Sequence, residues 1–384
     1  MKYMKRILIV FGTRPEAIKI CPLIKELQRR EAFCCRVCVT GQHQELLNSV
    51  LPIFDVTPEL VLSVMREGQS LSEMTARLLQ EVGAVLDREA PDWVLVHGDT
   101  TTAFASALAA FYRDIPIGHV EAGLRTYDMR APFPEEWNRR AIGLMAAHHF
   151  APTVRAKEHL LTEGIVEERI SVTGNTGIDA LMSTVREDYR HPLLDWVGDS
   201  RLILLTAHRR ENLGAPMRSA FRAIRGLVEE LPTVKVIYPV HANPVVRQIA
   251  NEELAGHERI RLTEPLDATD FHNFLARCEL VVTDSGGIQE EAPALGKPVL
   301  VLRNTTERPE GLQAGVMRLI GTGEGSVSRG IRELLENRAL YDTMARAVSP
   351  YGDGKACVRI ADRLEELCED HSERPSYSRL RKVD

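Results

Sequence analysis

Short apolar, β-prone runs alternate with stretches of helical period almost from one end of this chain to the other, and that alternation leaves few folds open. Repeated strand–helix–strand units build parallel sheets with helices on both faces. The pattern predicts a first series of strands near Arg6–Phe11, Arg36–Thr40, Trp93–His97, Ile115–Val120 and His148–Phe150, with helices such as Glu16–Arg30 and Thr101–Tyr112 between them. A second series follows near Leu202–Thr206, Val234–Val240, Arg259–Leu262, Leu280–Thr283 and Val299–Leu302, with helices such as Met217–Leu231. The polar segment Arg186–Ser200 lies between the two series. The expected fold is α/β, two Rossmann-like domains facing across a cleft, with residues 1–175 in the first domain and 176–354 in the second.

Open sheets of this kind bind ligands beyond the carboxyl ends of their strands. Chemically useful residues gather there. The first strand runs into Gly12-Thr13-Arg14-Pro15-Glu16, with Lys19 expected in the first turn of the next helix. Later strands run into His97-Gly98-Asp99-Thr100 and into His119-Val120-Glu121-Ala122-Gly123-Leu124-Arg125. In the second half come His208-Arg209-Arg210-Glu211-Asn212 and His241. Each has a plain structural reading too: arginines paired with glutamates, Asp99 capping a helix, His208 a satisfied histidine. Taken one at a time the two readings balance, but their common position at strand ends favours a site.

The densest such stretch is TDSGGIQEEAPALGKPVLVLRNTTERPE, Thr283–Glu310. Ser285-Gly286-Gly287 falls between a short buried strand and a helix expected to carry Ile288, Ala292 and Leu295 on one side. Two glycines let the backbone approach a phosphate, and first-turn N–H groups lack intrahelical partners. Glu290 and Glu291 suit the vicinal hydroxyls of a ribose, and Arg308 offers a planar fork for a phosphate or a carboxylate. The group reads as a nucleotide-diphosphate seat; equally, the glycines read as a tight turn and the glutamates as a solvated helix face.

The 384 residues hold ample chain for two cores, and 48 basic against 54 acidic residues give a net charge of −6 without a strongly basic run. Nucleic acid is therefore not the expected partner. The start, MKYMKRILIVFG, has too short an apolar stretch for a secretion signal, and no run is long enough to span a membrane, so a cytoplasmic protein is expected. Of the seven cysteines, Cys35 and Cys38 have metal-like spacing, but they fall in an expected strand without a second pair. Buried free thiols are the reading, with no metal. FGTRPEAIK holds one glycine, which argues against a dinucleotide fingerprint, and no phosphate-binding Gly-x-x-x-x-Gly-Lys loop is present, so no cofactor is expected.

The blocks FGTRPEAIK (11–19), VLVHGDTTT (94–102), GHVEAGLRT (118–126), PFPEEWNR (132–139), TGNTGIDAL (173–181), LTAHRREN (205–212), YPVHANP (238–244), TDSGGIQEEAPALGKPVLVLR (283–303), TTERPE (305–310) and SPYGDG (349–354) together resemble the non-hydrolysing UDP-N-acetylglucosamine 2-epimerases of bacteria. The match spans nearly the whole chain. The resemblance implies a glycosyltransferase-B-like fold, a helix at about 355–370 returning to the first domain ahead of a polar tail, 371–384, and a homodimer. It further implies reversible conversion of UDP-GlcNAc to UDP-ManNAc for surface polysaccharide synthesis. By motif match the acid–base carboxylates are Asp99, Glu121 and Glu135, and His208, Arg14 and Lys19 serve substrate and leaving group. Ser285, Gly286, Gly287, Glu291, Arg308 and Phe271 match UDP contacts, although Leu266 stands where some members carry glutamine. Some members bind a second UDP-GlcNAc as activator; the matching positions are Gln42, His43, Glu135, Arg209 and His241, with Glu45 and Gly68 departing from the pattern. The rival readings are a hydrolysing epimerase releasing ManNAc, a UDP-sugar glycosyltransferase of the same fold, and a sugar-nucleotide sensor. Three acids grouped by one sugar would be of no use to a sensor.

Overall fold

The computed structural model describes residues 4–41, 49–66 and 68–369. The chain forms two compact units, the first made of the chain up to Ser183 together with the segment from Gly352, the second of Thr184–Tyr351. The crossings fall beyond the 175/176 and short of the 354/355 limits read from the sequence. The helix Thr176–Thr184 buries Ile178, Ala180 and Leu181, and Ala180 belongs to the core of the first unit, so the chain stays there to the end of that helix.

In the first unit the described strands are β1 (Lys5–Phe11), β2 (Phe33–Val39), β3 (Leu60–Val61), β4 (Trp93–His97), β5 (Ile117–Val120), β6 (His148–Ala151) and β7 (Ile170–Val172). They form a parallel sheet in the order β3-β2-β1-β4-β5-β6-β7. In the second unit β8 (Arg201–Thr206), β9 (Val234–Pro239), β10 (Ile260–Thr263), β11 (Leu280–Thr283), β12 (Val299–Val301) and β13 (Met317–Leu319) form a parallel sheet in the order β10-β9-β8-β11-β12-β13. Each order reverses once, between β1 and β4 and between β8 and β11. Connections leave such a switch point on opposite faces, which opens a crevice at the carboxyl ends of the two strands. The turns after β1, β4, β8 and β11 are therefore where each unit can hold a ligand.

β3, β7 and β13 are absent from the sequence reading. They are edge strands of two or three residues, too short to give an apolar run. Central strands are buried on both faces and stand out. In β1, Ile7, Ile9 and Phe11 enter one core cluster while Leu8 and Val10 enter another across the sheet. Cys35 and Cys38 part in the same way, so their spacing brings no two sulfurs onto one face.

Helices supply the matching faces. Ala215–Glu230 buries Met217, Ala220, Phe221, Ile224, Leu227 and Val228 at helical spacing, each large apolar side chain contributing about 1.5–3 kcal/mol. The helix Ala356–Glu369 buries Cys357, Ile360, Ala361, Leu364 and Cys368 in the same core as Ile20, Ile24 and Leu27 of Arg14–Gln28. Its start is tied down by Asp179, whose oxygens accept from the backbone N–H groups of Ala356 and Cys357 at 3.1 and 2.8 Å.

Candidate active site

In the first unit the turn after β1 is knotted by Glu16. Its Oε2 accepts from the N–H groups of Gly12 and Thr13 and from the Thr13 hydroxyl, and its Oε1 accepts from Thr100 Oγ1 at 2.7 Å. Burial pushes the Glu16 carboxyl up while these donors pull it down. One carboxylate thus fastens the switch-point turns after β1 and β4 to each other. The helix starts at Arg14, which places Lys19 in its second turn rather than its first. From there Lys19 pairs with Oε1 of Glu121.

Glu121 follows β5 with a left-handed backbone, φ 65°, and its side chain is 13% exposed. Its Oε2 lies 3.8 Å from Nδ1 of His97, the last residue of β4. Burial lowers the His97 pKa to about 4 against the pull of Glu121, so the ring is neutral at pH 7. Asp99 also follows β4. It does not cap the next helix, a task met by Thr100 through Ala103 N–H at 3.0 Å. Its Oδ2 instead accepts from Nε and Nη2 of Arg139 at 3.0 and 2.5 Å. Burial raises the Asp99 pKa, Arg139 lowers it and Glu121 raises it, so the two carboxylates sense each other. Arg125, by contrast, is paired with Glu163 with its side chain fully buried, the structural role open to it from the sequence.

Glu135 is half-buried and opens the helix Glu135–Met145. The neighbouring Glu136, which the motif match left without a role, is fully buried and accepts from the N–H groups of Thr126 and Tyr127 at 3.0 Å each. Arg14 is half-buried in the first turn after β1.

In the second unit His208 follows β8, and its ring stacks on His241 with centroids 5.1 Å apart. Burial lowers the His208 pKa; Asp284 raises it, and His241 and Arg209 lower it further. Asp284 itself is wholly buried and accepts from the N–H groups of His208 and Arg209 and from Asn212 Nδ2, all at 3.0 Å. Thr283 Oγ1 meets Thr206 Oγ1 at 2.6 Å and receives Ser285 N–H at 2.9 Å, which joins the ends of β8 and β11.

The helix Gly286–Ala294 begins after Ser285, whose side chain makes no capping bond. A Cβ on Gly286 would lie 3.0 Å from Glu307 Oε1 and 3.3 Å from Arg209 Nη2, whereas Gly287 is exposed. The buried side of this helix is Gly286, Gln289, Ala292 and Pro293, not the Ile288, Ala292 and Leu295 side read from spacing. Gln289 turns inward because both ends of its amide are met, by Ser285 O and by Thr306 Oγ1. Glu290 is engaged by Arg308 Nε at 2.6 Å and is only 13% exposed, so its carboxylate is committed inside the protein. For Arg308, burial works against its charge and Glu290 and Glu307 outweigh it. Glu291 and Phe271 are half-buried, the latter on the helix Ala268–Arg277.

Asp99, Glu121, Glu135, Arg14 and Lys19 thus lie in the first unit, and His208, Arg209, His241, Phe271, Ser285, Gly286, Gly287, Glu291 and Arg308 in the second. Gln42 and His43 lie outside the described residues. A depression of about 550 Å³ between Arg303, Arg318 and Arg329 in the second unit holds none of these residues. Its Arg303 and Arg318 are already paired with carboxylates.

Comparison with known proteins agrees over the length of the chain. The family model for UDP-N-acetylglucosamine 2-epimerase matches residues 25–365. The UDP-N-acetylglucosamine 2-epimerase of Bacillus subtilis is 52% identical over 364 residues, 95% of this chain and 96% of that protein. A crystal structure of a UDP-N-acetylglucosamine 2-epimerase superposes with a TM-score of 0.90 at 49% identity, covering 98% of this chain and 99% of that one. The Neisseria meningitidis UDP-GlcNAc 2-epimerase, crystallised with UDP-GlcNAc, gives 0.83 at 43% identity, covering 94% and 100%. Two Rossmann-like domains of the glycosyltransferase-B-like type, with charged groups at the switch points, define the class as an enzyme of nucleotide sugars. Within that class, the chain belongs to the UDP-N-acetylglucosamine 2-epimerase family.

Proposed function

We propose that this enzyme inverts C2 of UDP-N-acetylglucosamine, reversibly giving UDP-N-acetylmannosamine, by eliminating and re-adding UDP. The C2 proton is not next to a carbonyl, so a side chain cannot remove it from the intact sugar. Departure of UDP from C1 leaves an oxocarbenium-like centre that acidifies that proton, and a carboxylate then takes it. The products of this half are 2-acetamidoglucal and UDP. Re-addition with the proton delivered to the opposite face of C2 completes the inversion, and so a proton-handling group is needed on each face.

Asp99, Glu121 and Glu135 are the groups assigned to that work. The observation that carries the reading is the pair Asp99 and Glu121, which end neighbouring strands and oppose each other's charge. Like charges held near each other push carboxylate pKa values apart, as separate acid and base roles require. Arg14, Lys19 and His208 serve the leaving diphosphate, and donors already in place meet its growing charge without rearrangement. Ser285, Gly286, Gly287, Glu291, Arg308 and Phe271 hold UDP, supported by the uncapped N–H groups at the start of Gly286–Ala294.

The enzyme works in the cytoplasm as a homodimer and feeds a cell-surface polymer. Among the described residues no helix is long and apolar enough to cross a membrane. By motif match, Arg209, His241, Glu135, Gln42 and His43 are the positions assigned to a second UDP-GlcNAc as activator. A progress curve from UDP-ManNAc that starts without delay, and is unaltered by trace UDP-GlcNAc, would remove the activator.

The test of the reaction is proton NMR of UDP-GlcNAc with the enzyme in heavy water, without acceptor, nicotinamide or metal. UDP-ManNAc should appear with deuterium at C2. Asp99→Asn and Glu135→Gln should each slow this by about 10²–10⁴-fold while UDP still binds. Full epimerisation without deuterium uptake would rule out proton removal, and stoichiometric free ManNAc would favour the hydrolysing rival.

A further inference from the structure

Arg139 sits in the second turn of the helix Glu135–Met145 with its side chain 12% exposed. Two of its nitrogens, Nε and Nη2, fall on the same oxygen of Asp99, Oδ2. The third, Nη1, reaches Oε2 of Glu136 at 3.3 Å. Glu136 cannot yield, because it is fully buried and holds the backbone of Thr126 and Tyr127. From the same helix Asn138 Nδ2 donates to the carbonyl of Asp99 at 2.9 Å. The base of Asp99 is fixed as well: Gly98 N–H donates to Val120 O at 2.9 Å, and the buried His119 ring lies 2.7 Å from Gly98 O.

A carboxylate gripped by two donors on one oxygen cannot turn about its Cβ–Cγ bond without losing both. The grip on Oδ2 therefore gives Oδ1 a fixed direction. A simple ion pair would not need this: a point charge neutralises a carboxylate from many angles, whereas a guanidinium presents planar donors that set an orientation.

We propose that Arg139 is a positioning residue of the epimerisation: it locks Asp99 through Oδ2 so that Oδ1 is the oxygen that meets the sugar proton. This rests on the reading that Asp99 works on the sugar. Arg139 touches neither substrate nor leaving group in this assignment, so its loss acts on turnover and not on binding. Misplacing a reacting group by about 1 Å costs on the order of a hundredfold in rate.

The test compares kcat and KM for UDP-GlcNAc in Arg139→Gln, Arg139→Lys, Asp99→Asn and the Arg139→Gln/Asp99→Asn double variant, with circular dichroism to follow folding. Arg139→Gln should lose roughly a hundredfold in kcat with KM within about twofold. Arg139→Lys should recover part of the kcat, since it restores the charge but not the fork. The double variant should be no slower than Asp99→Asn alone, because an absent base needs no positioning. Losses that multiply in the double variant, a change confined to KM, or wild-type kcat in Arg139→Gln would each overturn the assignment. Should Arg139→Gln fail to fold, the cycle is run with Arg139→Lys and Asp99→Asn, with the same expected signs. Wild-type turnover in Asp99→Asn would instead sink the reading of Asp99, and this assignment with it.

Discussion

Asp284 accepts the backbone N–H of His208 at 3.0 Å and holds its Oδ1 3.6 Å from the Nδ1 of the same histidine. The carboxylate, at the end of β11, thus fixes both the loop after β8 and the side chain assigned to the leaving diphosphate. It is wholly buried, so the backbone N–H groups of His208 and Arg209 that face it would otherwise lack an acceptor. Asp284→Ala strands the N–H groups of His208 and Arg209 and one N–H of the Asn212 amide, whose nitrogen keeps Leu302 O as its other acceptor. The expected cost is on the order of 3 kcal/mol of unfolding free energy, with kcat lowered as His208 loses its place. Urea denaturation followed by Trp196, in the same unit, measures the first; a variant as stable as the parent would show that the loop holds its shape without the carboxylate.

Gly123 is placed where a side chain cannot go. Its φ is +88°, and a Cβ there would stand 2.2 Å from the carbonyl oxygen of Ala156, a backbone atom with nowhere to move. Gly123→Ala should cost at least about 2 kcal/mol, from the left-handed backbone and the clash together. Because Glu121 is two residues away, kcat should fall with stability. Differential scanning calorimetry checks the first part: an unchanged melting temperature would mean the turn relaxes freely.

The fold was largely legible because its central strands are buried on both faces. Runs such as Leu8-Ile9-Val10 and Leu280-Val281-Val282 have no polar interruption, and the turns beyond them carry the charged residues. Edge strands were not legible. Met317–Leu319 contains Arg318, half-exposed and paired with Glu333, so its pattern looks like a loop. In the candidate site, residue types at strand ends pointed to the turns after β1, β4, β5, β8 and β11, but which of two neighbours does what depends on partners distant in sequence. Glu290 is drawn inward by Arg308, and Glu136 by the backbone of Thr126 and Tyr127. Asp284 stood inside a quoted motif, yet its task appears only once β8 lies beside β11. Arg139 is likewise forty residues in sequence from Asp99.

The cysteines should separate by burial. Burial pushes Cys21, Cys35, Cys38 and Cys278 up to about 12 and Cys368 to about 11, which leaves almost no thiolate at pH 8. Cys34 is half-buried on the strand between them. Iodoacetamide at pH 8 should therefore label Cys34 first in the folded enzyme, and the other six, with the buried Cys357 also pushed well up, only after urea. Peptide mass spectrometry reads this directly, and early labelling of Cys35 or Cys38 would mean that β2 opens in the native state.

Buried histidines make the first unit the acid-sensitive one. Burial lowers His97 to about 4, His119 and His148 to about 3 and His149 to about 2, whereas the second unit has His272 at about 4. An unfolded histidine titrates near 6.5. Above that pH both states are neutral and the stability is fully present; below it the unfolded chain takes up the proton first. Each such histidine then costs about 1.4 kcal/mol per pH unit until its folded pKa is reached. Glu16, Asp99 and Asp179 have the opposite slope: burial raises them, so their protonation favours the folded state as the pH falls toward the ordinary carboxylate range. They offset part of the loss. Urea denaturation at pH 7, 6 and 5 should therefore show the first unit losing stability faster than the second. His149 is the most informative probe, since neither of its ring nitrogens has a hydrogen-bond partner among the described residues. His149→Phe removes one titrating group and no bond, and should flatten the dependence by about one proton. An unchanged slope would mean that His149 takes up its proton without unfolding, which a buried ring of this kind should resist.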